Sequence, residues 1–350
     1  MSRKRRYVIL AEGRFGPLES KTANQVIRYL PEQVTGVIDS TNAGRTAREV
    51  IGFGGRIAVY PDLRSSLTGA PDTLLIGVAP TGGRLPDAWR PLILEAIAAG
   101  LDIVSGLHTI LSEDEEFRSE AGTKGVSITD LRKVPPEYEV VSTGSWKTRA
   151  ARTILTVGTD CNVGKMTASL ELDREFSRRG LRSAFVATGQ TGMLLAGGGV
   201  AVDSVISDYV AGAIELEVDR AAASGHDYIH VEGQGSLTHQ GYSAVTLGLM
   251  HGVMPDAMIL VHHPLRPADA YGLPLDDVPR MIALHEMMLS PFKTSKVVGI
   301  AVNAVGMTPG ELERSLRDLE LETHLPAADV LTGGAGKLAG ALLEYFQRRV

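Results

Sequence analysis

Cysteine, long apolar runs and excess positive charge are what this sequence has little of. A single cysteine, Cys161, stands in 350 residues, which excludes an intrachain disulfide and a cysteine-rich zinc site and fits a reducing cytoplasm. The sequence has no run of about 18 apolar residues, so no helix is expected to cross a bilayer. The formal net charge of -6 argues against a nucleic-acid-binding surface. We therefore expect a cytoplasmic protein with no membrane or nucleic-acid partner.

What the sequence does contain is enough apolar material for a sizeable core. Apolar residues make up 44% of the chain, and its length favours two domains. In the first third, short apolar runs alternate with helical stretches, which predicts a parallel sheet covered on both faces. The expected strands are 7–11, 34–39, 57–60, 73–79, 101–105 and 126–129, and the expected helices are 86–99 and 110–121.

Residues 132–152 have no clear periodicity and are the best candidate for an inter-domain linker. After them the alternation of strands and helices begins again. The expected strands are 153–157, 182–187, 228–232, 257–262 and 297–302, and the expected helices are 164–179, 203–223, 279–289 and 309–319. The sequence thus predicts an α/β chain with one domain at 1–135 and a second, doubly wound domain at 150–350. Ligands of such a sheet lie outside the carboxyl ends of its strands.

The most informative segment is residues 154–169, which combine a buried strand, a glycine-rich loop and the start of a helix. Backbone N–H groups of such a loop point at one spot, where the helix dipole adds partial positive charge and Lys165 a full one. This layout predicts a phosphorylated ligand. The expected binding residues are Gly158, Thr159, Asp160, Cys161, Asn162, Val163, Gly164, Lys165, Met166 and Thr167.

The loop departs from the standard phosphate-loop pattern at two places. The glycine expected five positions before the Gly-Lys pair is replaced by Thr159, and Gly158 lies one position earlier. The serine or threonine that normally holds magnesium is Met166, and Thr167 is displaced by about 100° around the helix. These departures favour anion binding over hydrolysis of a triphosphate–magnesium complex, and we expect no resident metal.

Three elements of the second half resemble the branch of phosphate-loop proteins that includes dethiobiotin synthetase. They are the loop with its Gly-Lys pair, the strand end at 231–235 (Val-Glu-Gly-Gln-Gly) and residues 298–303 (Val-Gly-Ile-Ala-Val-Asn). The resemblance implies a phosphate-loop NTPase-like fold for 150–350. It also implies that Glu232 corresponds to a magnesium-holding carboxylate and Asn303 to a residue that reads a base edge.

A second resemblance covers nearly the whole chain. The loop with Cys161 and Met166, residues 76–83 (Ile-Gly-Val-Ala-Pro-Thr-Gly-Gly) and residues 106–109 look like the D-glutamate N-acetyltransferase family. The resemblance implies a Rossmann-like domain at 1–135 and acetyl transfer from acetyl-CoA to the amine of D-glutamate, an acidic D-amino acid, in D-amino acid catabolism. Composition and spacing do not show this activity. They are compatible with it, because coenzyme A carries phosphates that the loop could hold.

Attack of an amine on a thioester requires a deprotonated amine and a polarised carbonyl. Glu232 is the first candidate for the base, with metal ligation or a structural cap as its alternatives. Lys165 is expected over the bound phosphate, while Asp160 either positions the substrate amine or a water, or only hydrogen-bonds the loop. Cys161 either carries an acyl group or is a small side chain that fits a tight loop, and we favour direct attack by the amine.

Histidines are concentrated in the second half of the chain. His262 and His263 end a predicted strand just before Pro264, where side chains reach the ligand crevice, and we include His262 among the catalytic candidates. Each remaining histidine is expected to be structural or solvated, because the spacing matches no standard zinc pattern.

A dicarboxylate substrate needs cations, and the planar fork of arginine suits carboxylates. Arg14, Arg45 and Arg84 all follow predicted strands of the first domain. We predict that they bind D-glutamate in a cleft between the sheets, although a surface position is the commoner one for each arginine taken alone.

Two other functions fit the same motifs. A magnesium-ATP-dependent ligase or kinase like dethiobiotin synthetase would use Thr167 for the missing magnesium ligand and Glu232 to complete the metal shell. A nucleotide-binding protein without turnover would need only the loop. We expect no NAD, because residues 12–16 lack the third glycine of the dinucleotide fingerprint. Homo-oligomerisation is expected from the common behaviour of enzymes.

Overall fold

The chain divides into two compact units, residues 1–134 and 135–350. The computed structural model describes residues 4–78 and 80–348, apart from the side chain of Thr81. Each unit contains a six-stranded sheet in which the paired strands run parallel. The prediction of an α/β fold is therefore confirmed. Among the described residues, no helix is long and apolar enough to cross a membrane.

The first unit contains all six expected strands. They are β1 (Tyr7–Leu10), β2 (Val34–Ile38), β3 (Val59–Tyr60), β4 (Thr73–Ile76), β5 (Asp102–Ser105) and β6 (Ile128–Asp130). The helices are α1 (Lys21–Tyr29), α2 (Ala47–Ile51), α3 (Leu63–Ser66), α4 (Arg90–Ala98) and α5 (Glu115–Lys124). The strand order is β3-β2-β1-β4-β5-β6. The chain adds β2 and β3 on one side of β1 and then β4, β5 and β6 on the other side, and all pairs stay parallel. Ala79, the end of the strand expected at 73–79, lies outside the described residues.

The second unit adds a short sixth strand to the five expected ones. Its strands are β7 (Arg152–Gly158), β8 (Ser183–Val186), β9 (Tyr228–Val231), β10 (Ala257–His262), β11 (Lys296–Val302) and β12 (Ala327–Ala328). Its helices are α6 (Lys165–Arg178), α7 (Gln190–Ala196), α8 (Val210–Ala223), α9 (Ser243–Val253), α10 (Val278–Leu289), α11 (Pro309–Thr323) and α12 (Gly336–Gln347). The order β12-β11-β10-β7-β9-β8 puts β7 in the centre, so the ends of β9 and β10 flank the loop that follows β7.

The core of the second unit explains why β7 and β10 are central. All but one residue of each strand is buried, as expected for strands of a parallel sheet that is covered on both faces. Leu172 and Phe176 of α6 pack in the same buried cluster as residues from β7, β10 and α12. The helix ends at Arg178, and Gly180 follows with a φ of 78°, the left-handed conformation that is common for a glycine after a helix.

His230 is a polar residue within this core. It lies on β9 with no exposed surface, and its ring centroid is 4.6 Å from that of Phe176. Neither ring nitrogen has a hydrogen-bond partner among the described residues. Burial lowers the pKa of His230 to about 3, so the ring is neutral at physiological pH.

Replacing His230 with leucine is expected to make the free energy of unfolding fall less steeply as the pH is lowered. The folded-state pKa is about 3, whereas the unfolded chain has a histidine pKa of about 6.5. Between these two pKa values the unfolded state binds one proton more than the folded state. The stability that the neutral ring contributes is therefore present above a pH of about 6.5 and is lost as the pH falls, by up to about 1.4 kcal/mol per pH unit. Urea unfolding at several pH values measures this slope. Identical slopes for both proteins below a pH of about 6 would rule out the neutral buried imidazole.

Candidate functional site

The loop after β7 has the backbone shape of an anion cradle. We call residues 158–165 the anion loop. Asn162 has a φ of 55° and Gly164 a φ of 110°, and the chain then enters α6 at Lys165. No side chain of the described residues caps the start of α6. The first N–H groups of a helix have no acceptor within the helix, so this end offers donors and partial positive charge to an anion.

The Lys165 side chain is buried and hydrogen-bonds to the backbone of the anion loop. Its side chain is 6% exposed, and its Nζ donates to the carbonyl oxygen of Asp160 at 2.7 Å. The Thr156 hydroxyl donates to the carbonyl oxygen of Lys165 at 3.1 Å, which ties the first helical residue to β7. An ammonium group carries three donor hydrogens, so Lys165 can hold the loop backbone and an anion together.

Asp160 is a buried carboxylate with unequal oxygens. The residue is 2% exposed. Its Oδ2 accepts a hydrogen bond from Arg266 at 3.1 Å, and the same guanidinium nitrogen donates to the carbonyl oxygen of Cys161 at 2.6 Å. Its Oδ1 is buried and has no hydrogen-bond partner among the described residues. The carboxylate is thus oriented by Arg266, with one oxygen left to interact with a ligand.

His239 lies beside Asp160 and Cys161. One of its ring nitrogens, the Cys161 Sγ and a carboxylate oxygen of Asp160 all lie within 4.8 Å of one another. We call these three side chains the reactive cluster. The His239 ring is buried and contacts the rings of Tyr242 and Tyr271, with centroids 4.8 and 5.3 Å away.

The tautomer of His239 follows from its backbone contact. The N–H of Gly241 donates to Nδ1 of His239 at 3.2 Å, so Nδ1 must be an acceptor and the neutral ring carries its proton on Nε2. His239 therefore offers a hydrogen-bond donor at Nε2.

Glu232, at the end of β9, connects two segments. It is 3% exposed, and its Oε2 accepts N–H groups of Thr188 at 3.0 Å and Gly189 at 3.2 Å. Its Oε1 accepts a hydrogen bond from the Gln234 amide at 3.0 Å. A Cβ on Gly192 would lie 2.2 Å from Oε2, so α7 packs directly against the carboxylate. These contacts favour the structural role for Glu232 over the role of base.

His262 and Asn303 brace the anion loop from β10 and β11. The Nδ1 of His262 is 3.1 Å from the Thr159 hydroxyl, and burial, with a smaller effect of His263, lowers the pKa of His262 to about 4. His262 is therefore neutral at physiological pH. Asn303 donates from Nδ2 to the carbonyl oxygen of Val163 at 3.0 Å, so this amide supports the loop backbone.

The three arginines predicted to bind substrate lie in the first unit, and all are exposed. Because β2, β1 and β4 are parallel neighbours, Arg14, Arg45 and Arg84 follow strands whose carboxyl ends share one edge of the first sheet. Arg45 donates to the Asn42 side chain at 2.9 Å and to the carbonyl oxygen of Glu49, which braces its own loop. Substrate binding by these arginines stays a prediction.

Sequence reasoning did not select His239 or Arg266. His239 was expected to be structural or solvated, yet it lies in the reactive cluster. A usable signal was present, because both residues follow strand ends that flank β7, and side chains after such ends reach the ligand crevice.

Comparisons with known proteins match both units. The profile of a P-loop domain of the DUF1611 family, described as a domain of unknown function, matches residues 140–339, and that of the family's N-terminal Rossmann-like domain matches residues 40–134. The crystal structure of a DUF1611 family protein from Anabaena variabilis ATCC 29413 has a TM-score of 0.93 and 36% identity, and the match covers 97% of this chain and 99% of that one.

Two curated relatives carry an activity in their names. A D-glutamate N-acetyltransferase of Tritonibacter scottomollicae is 41% identical over 274 residues, which cover 77% of this chain and 80% of that protein. A D-glutamate N-acetyltransferase of a Pseudoalteromonas species is 35% identical over 274 residues, which cover 77% of this chain and 81% of that protein.

Proposed function

The chain belongs to the DUF1611 family, with the named D-glutamate N-acetyltransferases as relatives, and we propose that it transfers an acetyl group from acetyl-CoA to the amino group of D-glutamate. The observation that carries this proposal is the reactive cluster next to the anion loop. The Asp160 carboxylate, a ring nitrogen of His239 and the Lys165 ammonium lie within one part of the second unit.

Asp160 is the best-placed base. Direct transfer requires the amine nitrogen to attack the thioester carbonyl carbon, the amine to lose a proton and the carbon–sulfur bond to break, so that coenzyme A leaves as a thiolate. Asp160 has a buried oxygen without a partner, whereas both oxygens of Glu232 accept hydrogen bonds from Thr188, Gly189 and Gln234. We therefore assign to Asp160 the proton of the attacking amine.

His239 supports the same step from the other side of the cluster. Its Nε2–H is a hydrogen-bond donor, and the contact with Gly241 prevents the ring from reversing its tautomer without losing a hydrogen bond. A fixed donor of this kind stabilises the negative charge that develops on the carbonyl oxygen during attack. Cys161 is part of the anion loop, and its thiol carries no acyl group in the proposed transfer.

The alternative of a magnesium-ATP-dependent ligase has weaker support. Met166 is buried in the position that normally supplies a magnesium-holding hydroxyl, and the Glu232 carboxylate is tied to backbone N–H groups. A ligase would need Thr167 in place of that hydroxyl and the Glu232 carboxylate to complete its metal shell.

The proposed activity is tested directly by thiol release. Purified protein is incubated with acetyl-CoA and D-glutamate, with free thiol and N-acetylglutamate as the two readouts. L-Glutamate and D-glutamine in parallel reactions report stereospecificity and the need for the second carboxylate. Thiol release no higher than in the same reaction without D-glutamate would remove the proposal.

A further inference from the structure

The anion loop and the reactive cluster share residues. Asp160 and Cys161 belong to both, and the Lys165 Nζ lies 2.7 Å from the Asp160 carbonyl oxygen. An anion held by Lys165 and the N–H groups at the start of α6 therefore lies close to the backbone of the residue whose carboxylate we assign as the base.

Acetyl-CoA and the amino acid differ in how far the anionic group lies from the reacting group. In acetyl-CoA the phosphates and the thioester are at opposite ends of the pantetheine arm, so a diphosphate in the anion loop would direct the extended arm, and the thioester with it, away from Asp160. In an α-amino acid the carboxylate and the ammonium are bonded to the same carbon. One pocket can therefore hold both groups of the amino acid.

The charges of the loop suit a carboxylate. Lys165 supplies one full positive charge. Arg266 forms an ion pair with Asp160. Met166 supplies no hydroxyl for a cation that would neutralise a diphosphate. One carboxylate matches the charge of Lys165, and the N–H groups of the helix start supply further donors.

The unpartnered oxygen of Asp160 is the independent observation. Asp160 is 2% exposed, and its Oδ1 has no partner among the described residues. A buried acceptor of this kind calls for a donor, and the ammonium of an amino acid is a charged one.

We propose that the anion loop holds a carboxylate of the amino-acid substrate, while the phosphates of coenzyme A bind elsewhere. This inference rests on the proposed acetyl transfer and names the subsite of its acceptor substrate. It is an alternative to the sequence-based expectation that residues 158–167 bind the phosphates of coenzyme A.

Steady-state kinetics of the Lys165→Ala variant test whether Lys165 binds the carboxylate of D-glutamate or the phosphates of coenzyme A. The KM of D-glutamate and of the acetyl donor is measured with acetyl-CoA and with acetyl-pantetheine, which lacks the phosphates. Loss of one charge-assisted contact is expected to raise the KM of D-glutamate about 10- to 100-fold with either donor. The KM of acetyl-CoA relative to acetyl-pantetheine is expected to stay unchanged. Lys296→Ala, a half-exposed lysine of the same unit, is the control.

A second measurement uses the wild-type protein and needs no substitution. Inorganic phosphate is expected to compete with D-glutamate and not with acetyl-CoA. Phosphate competing with acetyl-CoA, or Lys165→Ala raising the KM of acetyl-CoA while leaving that of D-glutamate unchanged, would overturn the inference. Calorimetric titration of the wild-type protein with D-glutamate alone keeps it apart from the proposed activity, because binding is expected even where no acetyl transfer is measured.

Discussion

Asp160→Asn is expected to lower the kcat of acetyl transfer by about 10²- to 10⁴-fold, the range typical for loss of a general base. Asparagine keeps the size of the side chain and can still accept a hydrogen bond from Arg266, but it cannot take a proton from the attacking amine. The thermal midpoint is expected to change little, because the Arg266 side chain is 31% exposed and water can solvate its charge. Steady-state kinetics together with thermal unfolding measures both effects.

Glu232→Gln is the matched comparison for this variant. It also neutralises a buried carboxylate, but it places an amide where Glu232 accepts N–H groups from Thr188 and Gly189 and the side chain of Gln234. Its main effect is expected on stability, by about 1–3 kcal/mol. The opposite result, an Asp160→Asn protein with wild-type kcat and a stable but inactive Glu232→Gln protein, would move the base to Glu232.

The anion loop itself could be predicted from the sequence, because its signals are local. A buried apolar strand, the Gly-Lys pair and the glycine after α6 occur within about thirty residues, and each has a direct conformational meaning. The structure places the strand at Arg152–Gly158 and the helix at Lys165–Arg178, close to the predicted 153–157 and 164–179.

The partners of the loop could not be predicted in the same way. Arg266 contacts Asp160 across 106 residues of sequence, and His239 reaches the reactive cluster from the segment after β9. These contacts depend on β9 and β10 pairing with β7, and the order of strands in a sheet is not encoded in any local pattern. The sequence predicted the edge of the sheet at which the candidate site lies, but not which side chains meet there.

Several helices were missed for a different physical reason. α7 lies in a glycine-rich stretch and α12 contains Gly336 and Gly340, and glycine is an unfavourable residue within a helix. Local propensity therefore favoured loops. In the fold, Leu338, Leu342 and Phe346 of α12 pack in the core of the second unit, and this burial outweighs the cost of the two glycines.

Glu232 illustrates how contacts decide among roles that a sequence leaves open. The sequence allowed a base, a metal ligand or a structural cap, since an acid at a strand end suits all three. The hydrogen bonds to Thr188 and Gly189, and the close approach of Gly192, favour the cap. Its contribution to activity is then indirect, through the position of the segment that follows β9.

Gly233→Ala is expected to destabilise the protein by about 3 kcal/mol or more and to abolish acetyl transfer. A Cβ at this position would lie 1.7 Å from the carbonyl oxygen of Thr156, and the Gly233 N–H donates to the Thr156 hydroxyl at 3.0 Å. Neither backbone can yield without moving the end of β7 or the end of β9, and these ends carry the anion loop and Glu232.

Gly198→Ala is the control for that variant, because an added Cβ there meets no atom within 4 Å and the φ is not positive. It is expected to fold and turn over like the wild type. Urea unfolding gives the stability of each protein, and thiol release gives its activity. A Gly233→Ala protein with wild-type stability would mean that the end of β9 can move away from β7. The reactive cluster would then depend less on this contact than its geometry implies, because His239 follows β9 and Asp160 follows β7.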